Sequence, residues 1–326
     1  MTTTRRRFLG SMTGGVLAAS AVRFRPVAAQ PLTPVKVGCV VLGDFGINAP
    51  TLVGIEKGLF KQNGLDAEMI PFKGGPDLLK GVLAGAADIG LTGATDPLVF
   101  RERGTTIRAV ATILEKNHFT LTVTSQIKRV EDLKGGTIGV TAVGSTTWVF
   151  ARMLAKKMGW DPEKDVKIVG VGGIDAQAAA LRRGETQGVI FGDAGAVLES
   201  QGIGRIIMRL DEVTPKWISL SAYSTDELIK TKKDTLGRTL RSIFQGAKYC
   251  RDNTEESIRI ASKGIGWSEA ATRRAYEIVR PLMSVDGRID LDALRVMQDT
   301  LLDLGVIKRR LPLDEHYTTD FIPVKL

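Results

Sequence analysis

Between Gly139 and Thr146 the chain reads GVTAVGST. This has the two glycines and the terminal threonine of a phosphate-binding loop of the form G-x-x-x-x-G-K-[ST], but Ser145 stands where the lysine belongs. Without that ammonium nothing neutralises the outer phosphates of a nucleotide, and no acidic strand is evident to hold its metal ion, so ATP binding is not expected. What remains is a glycine loop opening a helix with three successive hydroxyls, Ser145, Thr146 and Thr147. The hydroxyls and the free N–H groups behind them either cap the helix or donate to an oxygen-rich ligand, helped by the positive end of the helix dipole. Thr92, Gly93 and Thr95 offer similar groups earlier in the chain. There, Asp96 and Pro97 read as a helix start, with Asp96 as the cap and Pro97 in the first turn. Asp44 and Asp193 each follow an apolar strand, and either accepts from a ligand N–H or bonds local backbone as turn aspartates do. Phe45 and Trp148 are candidate apolar walls, Trp148 being equally suited to a helix core.

Groups for covalent or acid–base catalysis are sparse. His118 and His316 are far apart in sequence, one in a linker and one in the tail, and neither points to a metal cluster or a triad. GWSEA (Gly266 to Ala270) lacks the final glycine and the preceding strand of a nucleophile elbow, so Ser268 reads as a helix cap. GVGGID (Gly170 to Asp175) lacks the third glycine of a dinucleotide fingerprint. No catalytic residue, metal ligand or cofactor is expected.

The elements that would position these groups alternate. Apolar runs of strand length (VKVGCVVL, DIGLTG, IRAVATIL) are separated by stretches with helical periodicity, the pattern of a parallel sheet flanked by helices. From Thr137 the order repeats, and VLAGAADIGLTG aligns with LRRGETQGVIFG at a constant offset of 99 residues. Gly85 then matches Gly184, and Gly93 matches Gly192, the first pair being suited to the left-handed turn that ends a helix. Two lobes of like architecture are expected, joined once through Glu115 to Gln126 and again through Thr214 to Ile229, with a helical remainder. Ligands of open α/β sheets bind beyond the carboxyl ends of the strands. That rule selects the loops around Asp44, Thr92, Ser145 and Asp193, facing a cleft between the lobes.

Charge and cysteines narrow the setting. The net charge of +9 looks basic, but MTTTRRRFLG opens a leader, with the small residues Val27 to Ala29 for a peptidase and an apolar stretch shorter than the roughly 20 residues that span a bilayer. TRRRFLG resembles a twin-arginine export motif, so residues 1–29 are read as a twin-arginine-type signal peptide, an ordinary secretory signal being the alternative. Cleavage after Ala29 removes five arginines and no acids, leaving 40 basic against 36 acidic residues, net +4. A nucleic-acid partner is therefore not expected. Neither is stable membrane insertion, and the mature chain is expected in the periplasm. Cys39 and Cys250 fall in apolar surroundings and read as two small buried thiols, although an oxidising compartment permits a bridge.

EKGLFKQNGLDAEMIPFKGG, LAGAADIGLTG and VEDLKGGTIGVTAVGST together resemble the periplasmic substrate-binding proteins of ABC importers, in the SsuA/THI5-like (NMT1-like) family. The likeness runs from about Val35 to Phe321. It implies a type II periplasmic-binding-protein fold: α/β, with two Rossmann-like lobes, a cleft between them and a helical C-terminal portion. Lobe 1 would comprise 30–120 and 222–326, and lobe 2 would comprise 121–221. By position, the family's ligand loops fall at Asp44, Phe45 and Asn48, at Thr92, Gly93 and Ala94, at Ser145, Thr146 and Thr147, and at Asp193, with Tyr223 on the return crossing. The implied partners are a small-molecule ligand and the permease of an ABC transporter, the protein itself being a monomer. Ligands in this group include sulfonates, carboxylates, nitrate and pyrimidine-like compounds. Helix-end hydroxyls favour a small organic anion, whereas Asp44 and Asp193 would suit an amine or amidine. The expectation is a non-enzymatic carrier of an anion; an exported enzyme or a ligand-presenting sensor component on the same fold are the alternatives.

Overall fold

The computed structural model describes residues 31–214 and 216–326. The signal peptide expected over 1–29 lies outside them. The first run of elements is β1 (Thr33–Val40), α1 (Phe45–Glu56), the single turn α2 (Leu59–Gln62), β2 (Leu65–Phe72), α3 (Gly75–Leu83), β3 (Ile89–Gly93), α4 (Thr95–Glu102) and β4 (Ile107–Leu114). A second follows: β5 (Thr120–Val123), β6 (Thr137–Val140), α5 (Thr146–Lys157), β7 (Lys167–Gly170), α6 (Ile174–Arg182), β8 (Gly188–Phe191), α7 (Gly195–Ser200) and β9 (Arg205–Arg209). The chain returns through β10 (Leu220–Thr225) and ends in α8 (Asp226–Thr231), α9 (Lys233–Asp252), α10 (Thr254–Ile265), α11 (Glu269–Val279) and α12 (Leu291–Asp303).

These strands make two five-stranded sheets, in the orders β2-β1-β3-β10-β4 and β7-β6-β8-β5-β9. The two orders are the same arrangement drawn twice. In each, the first three strands are parallel, and the fourth is an antiparallel strand supplied by a crossing between the lobes. β10 runs antiparallel to β3 and β4, and β5 antiparallel to β8 and β9. The 99-residue repeat is therefore a repeat of structure, because β3 and β8 take the third place in their respective sheets. Gly85 and Gly184 close α3 and α6 at φ +74° and +71°, a conformation that a side chain would strain.

The strands are apolar because both faces of each sheet are covered. Val35, Val37 and Cys39 on β1, Ile89 and Leu91 on β3, and Ile138 and Val140 on β6 are all buried. Cys39 and Cys250 are free and buried, and burial pushes both thiols up to about 12. Helix α1 lies under α9 and α10 and is covered on most of its surface, which explains its lack of a polar face. Ser268 caps α11 by accepting from the Ala271 N–H at 3.2 Å, as its place in GWSEA predicts. The observed class is mixed α/β with two sheets and a helical C-terminal portion.

Candidate functional site

The site is built from the carboxyl ends of β1, β3, β6 and β8 and the helices that follow them. After β1, Val41 adopts φ +53°, a left-handed conformation unusual for a β-branched residue. The turn is held by Asn48, whose amide donates to the carbonyls of Val41, Leu42 and Asp44 at 3.1, 2.7 and 2.7 Å. Asp44 then starts α1 as its cap, with Oδ1 accepting from the Ile47 N–H at 2.9 Å. The two N–H groups ahead of Ile47 are taken from the opposite lobe. Asp193, just past β8, accepts from Phe45 N at 3.0 Å and from Gly46 N at 2.8 Å. Two carboxylates thus occupy the positive end of α1.

A matching contact is made in the other direction. Asp96, in the first turn of α4, accepts at Oδ2 from the Thr92 hydroxyl at 2.6 Å and at Oδ1 from the Thr146 hydroxyl at 2.8 Å. Thr146 is the first residue of α5, in the second lobe. Asp96 was expected to cap its own helix. Instead Ala94 occupies the cap position before α4 and offers no side-chain cap, and the Asp96 carboxylate is drawn to two hydroxyls, one of them across the cleft. Burial pushes Asp96 up to about 6 against the pull of those hydroxyls. Asp193 is also raised, first by burial and then by the charge of Asp44, with the N–H groups of Phe45 and Gly46 opposing.

The glycine loop of the opening motif does what its hydroxyls permit locally. Ser145 is the cap of α5, and its Oγ, Thr141 Oγ1 and Thr147 Oγ1 lie 2.9–3.0 Å from one another. Gly93 and Gly192, equivalent in the repeat, are the points of closest approach. A Cβ on Gly93 would lie 2.3 Å from Thr146 Oγ1, and one on Gly192 would lie 2.1 Å from Asp44 Oδ2. Each lobe's strand end therefore abuts the other lobe's helix start, and only glycine permits it.

Between these groups lies a cavity of about 30 Å³, enough for a water or two and too small for an organic molecule. Its wall contains Asp44, Thr92, Gly93, Ser145, Thr146 and Thr147 of the residues singled out in the sequence. Phe45, Asn48, Ala94, Asp193 and Tyr223 are not in the wall. Phe45 packs edge-on against Tyr276 at 5.7 Å, Asn48 holds the turn, and Asp193 sits behind Gly192 on α1. Tyr223 is buried in β10 against Gly90. Trp148 also points elsewhere, its ring facing Arg152 at 4.7 Å. Outside the cavity, a groove of about 940 Å³ runs along Val41, Phe72 and Lys73 on one side and Val171 to Gly173 on the other.

Asp96 was not expected at the cleft, and His118, read as a linker residue that points to neither a metal cluster nor a triad, is brought into one buried set with Asp44, Asp193 and Ser219. His118 Nε2 lies 3.2 Å from Asp44 Oδ2 and its Nδ1 2.6 Å from Ser219 Oγ, all three residues buried. The separations of 74 and 101 residues leave no local signature. Asp44, His118 and Asp193 bring ligand atoms within 4.8 Å of one another, a set of the kind that holds a divalent ion. Here those atoms are engaged with each other, with Ser219 and with the first N–H groups of α1.

Two lobes of repeated α/β order meeting over strand-end loops define a bilobal binding-protein fold. The sequence matches the family described as NMT1/THI5 like over residues 48–257, and the chain belongs to that family. A binding protein of Brucella abortus, its role described no further, is 24% identical over 94% of this chain and 97% of its own length. Among solved structures, the alkanesulfonate-binding protein SsuA from Xanthomonas axonopodis pv. citri, bound to MOPS, superposes with a TM-score of 0.76 at 16% identity, covering 89% of this chain and 99% of that one. The desulfurization enzyme DSZB shares the fold as well, with a TM-score of 0.62 at 17% identity over 89% of this chain and 97% of its own.

Proposed function

We propose that this chain is an exported, periplasmic solute-binding protein that captures one small organic molecule between its lobes and delivers it to the permease of an ABC transporter. The observation that carries the reading is the cavity itself. It lies at the strand ends of both lobes, its polar wall is drawn from both, and the two lobes touch through side chains that must part for anything larger than water to enter. Capture is then a matter of hinge opening and closure around the molecule, the mode in which two-lobed receptors bind. Membership of the family and the likeness to a sulfonate-binding protein support the same role. Among the described residues no helix is long and apolar enough to cross a membrane, which fits a carrier that meets its permease from outside the bilayer.

A second reading, an exported enzyme, is favoured by one feature, the hydrogen-bonded chain Ser219–His118–Asp44. Its serine is fully buried and is not part of the cavity wall, so it lacks the access that a nucleophile needs. A thermal-shift screen over sulfonates, carboxylates, nitrate, pyrimidines, amines and amidines separates the two readings. Stabilisation by a compound that is recovered unchanged supports capture. Consumption of that compound supports catalysis, and no stabilisation by any class contradicts capture.

A further inference from the structure

We infer that the captured solute carries a hydrogen-bond-donating, positively charged nitrogen group, an ammonium or an amidinium, which binds between Asp44 and Asp96. This rests on the solute-binding reading above and fixes the chemistry of its ligand.

The two ionisable side chains in the cavity wall are both carboxylates, Asp44 and Asp96, and among the described residues no lysine or arginine lines it. A carboxylate is acceptor-only, with about four lone-pair sites. Asp96 receives one hydroxyl on each oxygen, and Asp44 receives the Ile47 N–H on one and faces His118 with the other. Both therefore retain acceptor capacity toward the cavity. The hydroxyl donors of the wall are engaged, those of Thr141 and Thr147 within their contact with Ser145. Thr92 and Thr146 give their protons to Asp96, and Ser145 Oγ donates to the Ala142 carbonyl at 2.7 Å. The N–H groups that open α1 would be the natural seat of an anion, yet they are already taken by Asp193 and Asp44.

An anionic ligand would thus bring a further negative charge beside Asp44 and Asp96, with no lysine or arginine in the wall to receive it. A cationic nitrogen would meet unfilled lone pairs on both carboxylates and supply countercharge beside Asp96, whose side-chain partners are neutral hydroxyls, while Asp44 keeps His118 at 3.2 Å on its other side. The raised values of Asp96 and Asp193 are what uncompensated burial produces. The sequence favours an anion if the hydroxyls of Ser145, Thr146 and Thr147 are free donors; in the fold Thr146 donates to Asp96, Ser145 to the Ala142 carbonyl, and Thr147 is engaged with Thr141 and Ser145.

Matched probes test this on the full mature chain: benzamidine against benzoate, acetamidine against acetate, and benzylamine against benzenesulfonate, by thermal shift and calorimetric titration. The cationic member of at least one pair is expected to bind, and the anionic members are not. Asp96→Asn is expected to weaken the cationic probe about tenfold or more, the scale of a lost charge-assisted bond in a buried site. Thr146→Val removes the contact across the cleft but keeps the charge, and is expected to weaken the probe far less. Circular dichroism and Tm without ligand confirm that both variants fold. Binding confined to the anions overturns the inference while leaving solute capture intact. Equal losses in the two variants overturn it by reducing Asp96 to a lobe contact, and silence of all three cationic probes overturns it as well.

Discussion

Thr146 donates its hydroxyl to Asp96 at 2.8 Å from the far side of the cleft, 50 residues along the chain. With Asp193 on the N–H groups of Phe45 and Gly46, it makes a reciprocal clasp in which an acid of each lobe engages the first turn of the other lobe's helix. Several measurable properties depend on that clasp.

The first is pH dependence. Asp96 rises from an ordinary 3.8 to about 6 in the folded protein, so the folded state holds its proton where the unfolded state has released it. This contribution is fully present below pH 3.8 and is lost as pH climbs through about 6. Its size is on the order of 3 kcal/mol. Urea midpoints between pH 3.8 and 7 should show the wild type losing stability relative to Asp96→Asn as pH rises. Parallel curves would contradict the assignment.

Asp193 acts mainly as an acceptor for helix N–H groups, since its own charge is disfavoured by burial and by Asp44. Asp193→Ala leaves two buried donors without partners and should cost about 1–3 kcal/mol. Asp193→Asn keeps one acceptor and relieves the like charge, and should cost clearly less. Equilibrium denaturation of the two variants gives the comparison, and an equal loss in both would rule out the acceptor role.

Gly192 marks the tightest approach of the lobes, where a methyl group would fall 2.1 Å from Asp44 Oδ2 and 2.6 Å from His118 Nε2. Overpacking of this kind costs roughly 1–3 kcal/mol. Gly192→Ala should lower the Tm by several degrees and enlarge the radius of gyration in solution scattering, as the cleft gives way before either lobe does. A scattering profile identical to wild type would show that the clash is absorbed locally.

Asn48 is expected to matter for stability rather than for contact with a ligand. Its amide holds three carbonyls of the turn in which Val41 is strained. Asn48→Ala should therefore destabilise the chain by roughly 1–3 kcal/mol, with any loss of ligand affinity following from the looser turn. A variant of wild-type stability that no longer binds would instead place Asn48 on the ligand.

Much of this architecture was legible in the sequence because it is written twice. The 99-residue offset carries the strand order, the helix-ending glycines Gly85 and Gly184, and the pairing of Gly93 with Gly192. Ser145 was legible as a cap because capping is a local bond. The clasp was not. Asp96 and Asp193 are turn residues by their neighbours, and only closure of the lobes brings them to helices 50 and 147–148 residues away. His118 was hidden for the same reason, since the crossing that carries it reads as a linker until β5 takes its place beside β8. Tyr223 shows the converse: it lies on the crossing strand, as expected, with its ring turned into the core against Gly90.

The proposed role is to hold a molecule without transforming it. Calorimetric titration of the mature chain with a compound that stabilises it, followed by mass spectrometry of that compound after prolonged incubation, separates capture from turnover. One site per chain and a ligand recovered at its original mass are the predicted result. A product of altered mass, formed by the wild type and lost in His118→Ala, would contradict it.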